Sequence, residues 1–246
     1  MRTPTRAGLY AGLAVAVTSS SFASILIRLA QPFAPSLVIA AWRLLLASLI
    51  LWPIYLVRRR REPEPLPGRI VLAAAISGMF LALHFATWIA SLALTTVASS
   101  TVLVATAPLF VAALSPLTLR ERVGARLAAG LCLALLGVVV ISAAGSCSLV
   151  PPPSCSGFSA GLQAEALRGN LLALAGALAA AFYLMLGRRV RQALSLIPYV
   201  TIAYSSAALV LLLFVLVTGL ELTGYPSQVY LLFLLLAVFP QLVAHS

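Results

Sequence analysis

Long apolar runs recur along the whole chain and alternate with short polar or basic stretches. An α-helix needs roughly 20 apolar residues to cross a hydrocarbon core about 30 Å thick. Seven runs are suited to such a crossing, and an eighth is cut short by the last residue. The eight segments lie at 8–30, 36–57, 70–93, 97–118, 127–145, 170–187, 197–220 and 230–246. The pattern predicts an all-α membrane protein, a polytopic helix bundle.

Composition and charge agree with this prediction. Of the 246 residues, 62% are hydrophobic and 9% are charged, whereas soluble domains are about 45–50% apolar. All sixteen basic residues are arginine, and if the segments alternate across the membrane, thirteen of them fall on one side. Basic residues in short loops stay in the cytoplasm, so we expect a cytoplasmic N-terminus and a multi-pass protein of a bacterial inner membrane. The net charge of +11 reflects this bias and does not indicate nucleic-acid binding.

Two features outside the membrane leave alternatives open. The first 24 residues resemble a secretory signal peptide, although the apolar run continues beyond them, and we favour a retained first helix. Cys147 and Cys155 fall in the long loop on the non-cytoplasmic side, where disulfides persist. They form either a disulfide bridge or two free thiols.

The absence of several residue types limits the chemistry of the chain. It contains no lysine and no aspartate, so a phosphate-binding Walker lysine, a Schiff base and an aspartyl-phosphate intermediate are excluded. The five glutamates all lie in predicted loops or at helix ends. His84 and His245 have no neighbouring ligand at metal-binding spacing. We expect no metal, no cofactor and no enzymatic activity.

Three side chains within the predicted membrane segments are candidate functional residues. Arg43 lies roughly 10 Å from the outer end of the second segment, and His84 of the third segment has a similar depth, at about 1.5 Å of rise per residue. Trp88 lies one helical turn from His84 on the same face. Arg43 either links helices as a strut or faces a water-filled cavity, and His84 either packs or lines that cavity.

An internal repeat is suggested by two matching stretches. PSLVIAAWRLLLASLIL begins at Pro35 and PYVTIAYSSAALVLLLF begins at Pro198. The first and second segments would then repeat as the sixth and seventh in inverted orientation, which is common in transporters. In this alignment His245 corresponds in depth to His84, and Ser206, beside Tyr204, takes the position of Arg43.

Residues 88–141, WIASLALTTVASSTVLVATAPLFVAALSPLTLRERVGARLAAGLCLALLGVVVI, carry a family resemblance. The hydroxyl-rich start of the fourth segment, the TAP at residues 106–108, Glu121 and the ending LLGVVVI resemble the EamA-type family of the drug/metabolite transporter (DMT) superfamily. The resemblance implies ten helices in two inverted five-helix repeats around a central substrate pathway. It implies a first repeat at 1–146, an extracytoplasmic loop at 147–168 and a second, incomplete repeat at 169–246. About eight helices are present, so we expect a truncated chain.

The resulting hypothesis is a secondary transporter that exports a small metabolite, an amino acid or a related compound, by alternating access. A membrane-embedded enzyme acting on lipid and a non-transporting scaffold are the alternatives. Its partners would be a small-molecule substrate and the lipid bilayer, with proton coupling and exchange both open. Hinges are expected at Pro108 and Pro240. The expected pathway residues are Arg43, His84, Trp88, Trp42, Tyr204, Ser206 and His245.

Overall fold

The computed structural model describes residues 6–118 and 164–243, together with 124, 129–130, 132–133, 136–137, 147–148 and 154–155. Nine α-helices, a π-helix and one pair of two-residue strands are present within these residues. The elements are α1 (Arg6–Ser21), α2 (Ala23–Ala30), α3 (Ser36–Arg61), α4 (Gly68–Leu94), α5 (Val97–Val104), α6 (Ala107–Thr118), β1 (Cys147–Ser148), β2 (Ser154–Cys155), α7 (Ala164–Val190), α8 (Leu196–Val217) and α9 (Ser227–Leu236), which continues as the π-helix Ala237–Val243. The predicted all-α helix bundle is confirmed.

Five helical stretches of the described chain are long and apolar enough to cross a membrane, and two shorter apolar helices accompany them. The long stretches are Ser36–Arg61, Gly68–Leu94, Val97–Pro116, Ala164–Val190 and Leu196–Val217, and the shorter ones are Val17–Ala30 and Ser227–Val243. Each coincides with a predicted segment, while the fifth segment, 127–145, lies largely outside the described residues. The protein is a multi-pass membrane protein.

Three segments differ from the expected uninterrupted helices. The first is divided at Phe22, and the fourth is divided at the turn of Ala105 and Thr106. The sixth begins at Ala164, so the end of the predicted loop 147–168 is helical. Glu165 lies in the first turn of α7, where a carboxylate is favoured by the helix dipole. This charge stabilises the part of the helix that extends beyond the apolar run.

Helix ends near the membrane surfaces are fixed by identifiable contacts. Gly219 adopts a φ of 68° after the last turn of α8, and the N–H groups of Gly219 and Leu220 donate to Leu216 and Val215. This is a Schellman motif, in which glycine avoids the steric cost of positive φ.

The start of α8 is held by the linker between α3 and α4. The backbone N–H and the hydroxyl of Ser195 donate to the two carboxylate oxygens of Glu64, each at 2.7 Å. A charged acceptor therefore satisfies an N-terminal donor that α8 itself cannot satisfy.

Helix packing is reciprocal between the two predicted repeats. α4 packs against α7, while α9 and the π-helix pack against α2 and α1, respectively. α8 packs against α4, while α9 and the π-helix pack against α3. α3 and α8 pack against each other. Each of these contacts is the one expected when the first three segments are equivalent to the sixth, seventh and eighth.

Small residues allow these helices to approach closely. A Cβ added to Gly176 of α7 would lie 3.0 Å from the Thr87 hydroxyl oxygen and 3.3 Å from the His84 carbonyl oxygen of α4. Ala173 and Ala177 are completely buried on the same helix. Small residues of α7 thus form a packing surface on which another helix approaches closely.

Candidate functional site

Arg43 is the largest completely buried side chain among the described residues. Its Nε donates a hydrogen bond of 2.8 Å to the side-chain oxygen of Gln241. The guanidinium carbon lies 4.1 Å from the centre of the Phe85 ring, in a cation–π contact. The two terminal nitrogens, Nη1 and Nη2, have no hydrogen-bond partner within the described part of the chain. Arg43 therefore retains two buried donors.

Gln241 brings a third element to Arg43. It is completely buried on the π-helix, and its backbone carbonyl accepts a hydrogen bond of 3.5 Å from the hydroxyl of Tyr204 on α8. Residues from α3, α4, α8 and the π-helix thus meet at one point. Sequence reasoning missed Gln241, although a polar residue next to a proline in an apolar segment is itself a functional signal.

His84 and Trp88 form the adjacent part of the cluster on α4. Both are 7% exposed, and their rings stack at 5.8 Å with an interplanar angle of 17°. His84 Nδ1 lies 2.9 Å from the Gly176 carbonyl oxygen, which requires a proton on this nitrogen. Trp88 Nε1 is buried without a partner among the described residues. Phe85 contacts the rings of this pair and the guanidinium of Arg43, so the side chains of Arg43, His84 and Trp88 belong to one cluster.

Two expected pathway residues lie elsewhere. The indole nitrogen of Trp42 donates to the Leu222 carbonyl at 2.8 Å, and its ring stacks on Phe233 at 5.9 Å. The Ser206 hydroxyl donates to the Ala75 carbonyl on α4 at 2.8 Å. These contacts hold helices together, and a function of either residue in the pathway stays a prediction.

The remaining predicted residues are placed as follows. His245 lies outside the described residues. Pro108 is in the first turn of α6, immediately after the interruption of the fourth segment. Pro240 is buried within the π-helix. Both prolines therefore occur at helix irregularities, and their function as hinges stays a prediction.

β1 and β2 pair antiparallel, with the backbone of Cys147 directly opposite that of Cys155. Directly opposed residues of such a pair have Cα atoms about 4.5–5.5 Å apart, a separation that a disulfide can span. The bridge stays a prediction.

Comparison with known protein families identifies the family to which the chain belongs. The sequence model of the EamA-like transporter family matches residues 7–143, more than half of the chain. The chain belongs to the EamA-like transporter family. The resemblance to the DMT superfamily is confirmed, and the protein is a membrane transporter of the DMT type that sits in a lipid bilayer and binds a small-molecule substrate.

Solved structures show the same fold. The chain is similar to a protein described as "Crystal structure of protein", with a TM-score of 0.64 and 16% sequence identity. The similarity covers 96% of this chain and 76% of the other. No curated protein matches the sequence significantly.

Within the described part of this EamA-like transporter, no carboxylate forms an ion pair with Arg43. Of the glutamates that the structure describes, Glu62 and Glu64 follow α3, Glu165 is in the first turn of α7, and Glu221 follows α8. None of these four positions is in the middle of a membrane segment. The described residues also contain no group of three or more His, Cys, Asp or Glu that could hold a metal ion.

Proposed function

We propose that this protein is a secondary transporter that exports a small metabolite, an amino acid or a related compound, by alternating access. The observation that carries the proposal is the buried guanidinium of Arg43, bonded to Gln241 on an element of the opposite predicted repeat. A charge inside a membrane protein is expensive and marks a substrate or ion pathway by default. A site between repeats is also accessible in turn from either side when one repeat rocks against the other.

The reciprocal helix contacts support this mechanism. They fit a first repeat at 1–146 and a second at 169–246, separated by the loop 147–168 on the outer side. The arginine distribution supports a cytoplasmic N-terminus in a bacterial inner membrane. Pro108 and Pro240 would act as hinges, because each lies where the regular helix is already interrupted.

Within this mechanism the cluster residues have separate functions. Arg43 contacts the substrate, and the buried aromatic side chains of Trp88 and Tyr204 form the walls of its site. His84 either carries a coupled proton or holds α7 through the Gly176 carbonyl. Transport without proton coupling, as exchange, is the second form of the mechanism.

The test is counterflow into proteoliposomes with a labelled panel of amino acids, nucleosides and organic anions. We expect uptake of at least one compound by the unchanged protein and its loss in Arg43→Ala. Arg28→Ala is the matched control, because Arg28 is exposed on α2 and its loss removes a charge outside the cluster.

Two results would oppose the proposal. If no compound of the panel is exchanged by the unchanged protein, a scaffold or a lipid-acting enzyme becomes the better explanation. If Arg43→Ala exchanges substrate like the Arg28→Ala control, Arg43 is a strut between helices and has no function in the pathway.

A further inference from the structure

One edge of the Arg43 guanidinium makes no hydrogen bond within the described residues. Gln241 occupies the Nε position, at 2.8 Å. Phe85 covers a face of the planar group, at 4.1 Å from its carbon. Nη1 and Nη2 are buried and without a partner among the described residues. These two nitrogens present parallel N–H groups along the outer edge, the geometry that matches the two oxygens of a carboxylate.

The described residues around Arg43 supply no negative charge that could balance its guanidinium. The chain has no aspartate, and the four described glutamates lie in loops or at helix ends. A buried charge without a partner carries a large desolvation penalty. An anionic ligand at this edge would offset part of this penalty and give both nitrogens a hydrogen-bond acceptor.

We propose that Arg43 binds the carboxylate of the transported compound, and that this compound is a monocarboxylate whose remaining part is uncharged. The proposal rests on the proposed transport function and specifies its substrate class. A single guanidinium balances a single negative charge, whereas a phosphate dianion would leave an excess charge buried in the bilayer. The zwitterion of a free amino acid has no net charge and would leave the charge of the guanidinium unbalanced, so of the two substrate classes proposed above this inference selects the related compound without an ammonium group.

The neighbouring side chains suit an apolar or aromatic remainder. Phe85 and Trp88 lie with their ring centres 6.3 Å apart, and Tyr204 is completely buried. Trp88 Nε1 is a further buried donor without a partner in the described chain, available to one neutral acceptor of the ligand. The site therefore combines one charged fork with aromatic walls, as small-molecule sites commonly do.

The site is closed in this structure, because Arg43 is 0% exposed. Its side-chain partner Gln241 lies on the π-helix Ala237–Val243, and π-helical turns occur frequently at functional sites. A shift of this segment would break the bond to Arg43 Nε and expose the guanidinium. Ligand entry therefore depends on the element that contains Pro240.

The first experiment uses a ligand series on the unchanged, purified protein in detergent, so that no variant has to fold. Binding is measured by intrinsic tryptophan fluorescence with 3-phenylpropionate, 3-phenylpropionamide, phenylalanine and phenyl phosphate. We expect 3-phenylpropionate to bind at least about tenfold more tightly than the amide, because the amide lacks the charge-assisted hydrogen bonds. An amide that binds equally well overturns the proposal, and so does a preference for phenylalanine or phenyl phosphate.

Variants then locate the bound carboxylate. Arg43→Met is expected to lose binding of 3-phenylpropionate, and Arg43→Lys to weaken it roughly tenfold because a lysine keeps the charge but not the fork. Arg28→Met is the control and should bind like the unchanged protein. Equal binding by Arg43→Met and the control would overturn the proposal, because the carboxylate would then be held elsewhere.

Counterflow of labelled 3-phenylpropionate separates this proposal from the transport function. Arg43-dependent binding without any counterflow would contradict the transport proposal and leave the carboxylate site standing. Counterflow restricted to uncharged compounds, unchanged in Arg43→Met, would leave transport standing and overturn the carboxylate site.

Discussion

The contact between α4 and α8 leaves no room for a side chain at Gly78. A Cβ added there would lie 3.0 Å from both the carbonyl carbon and the Cα of Ala203, and closer still to its oxygen. Ala203 is completely buried, and all three atoms belong to the backbone. They cannot rotate away as a side chain could, so Gly78→Ala must displace one helix from the other.

The size of the effect follows from two opposing contributions. Alanine is favoured over glycine in a helix interior by about 1 kcal/mol, and overpacking costs about 1–3 kcal/mol. Because the clash is with backbone, the upper part of that range applies, and we expect a net loss of about 1–2 kcal/mol. For a chain of this size the melting temperature should fall by about 2–8 °C.

Thermal unfolding in one detergent, followed by loss of the monodisperse peak in size-exclusion chromatography, measures this change. Gly12→Ala is the matched control, because a Cβ added to Gly12 of α1 meets nothing within 4 Å. The control should melt at or slightly above the temperature of the unchanged protein. A melting temperature of Gly78→Ala equal to that of the control would refute the close approach of α4 and α8.

Three further predictions concern the proton, the loop and the linker. His84→Gln should abolish any stimulation of transport by a pH gradient while substrate exchange continues, because glutamine donates a hydrogen bond but does not titrate. A pH jump across the membrane of proteoliposomes measures this stimulation, and its full retention would exclude a coupling function of His84. Cys147 and Cys155 should resist alkylation until a reductant is added, as peptide mass spectrometry can determine, and labelling of both thiols without reductant would show that no bridge forms. Glu64→Gln should destabilise the protein by about 1 kcal/mol in thermal unfolding, because the charged cap of α8 is lost. Glu62→Gln is the control and removes an exposed ion pair with an N–O distance of 3.4 Å. It should change the stability by only a few tenths of that amount.

The helices could be predicted because the apolar interior of a lipid bilayer excludes most other backbone conformations. Backbone groups in hydrocarbon must be satisfied within the segment, so a long apolar run becomes a helix. The proximity of Arg43 and His84, which both contact Phe85, agrees with the similar depths expected from the fixed rise per residue. The interruption at Ala105 and Thr106 lies beside Pro108, whose missing N–H and ring already favour a break.

The direction in which each side chain points could not be predicted from the sequence. A segment that is apolar on all sides does not show which of its faces packs against other helices, so the bonds of Trp42 and Ser206 to the Leu222 and Ala75 carbonyls could not be predicted. Their place in the pathway stays a prediction. Glu64 was equally inaccessible to local reasoning, because its partner is 131 positions away in the chain.

The two equivalent helix interfaces of the proposed repeat are chemically different, and this difference bears on where a ligand can act. Between α8 and α4, the Ser206 hydroxyl bonds to a backbone carbonyl, which keeps its position while the helix is intact. Between α3 and the π-helix, Arg43 bonds to the side chain of Gln241 and retains two buried donors. A ligand would add nothing to the first bond, whereas a carboxylate bound as proposed would add two hydrogen bonds and a counter-charge at the second interface. Such a ligand would shift the equilibrium between two conformations at the Arg43 interface, since a conformational change requires differential affinity for the two states.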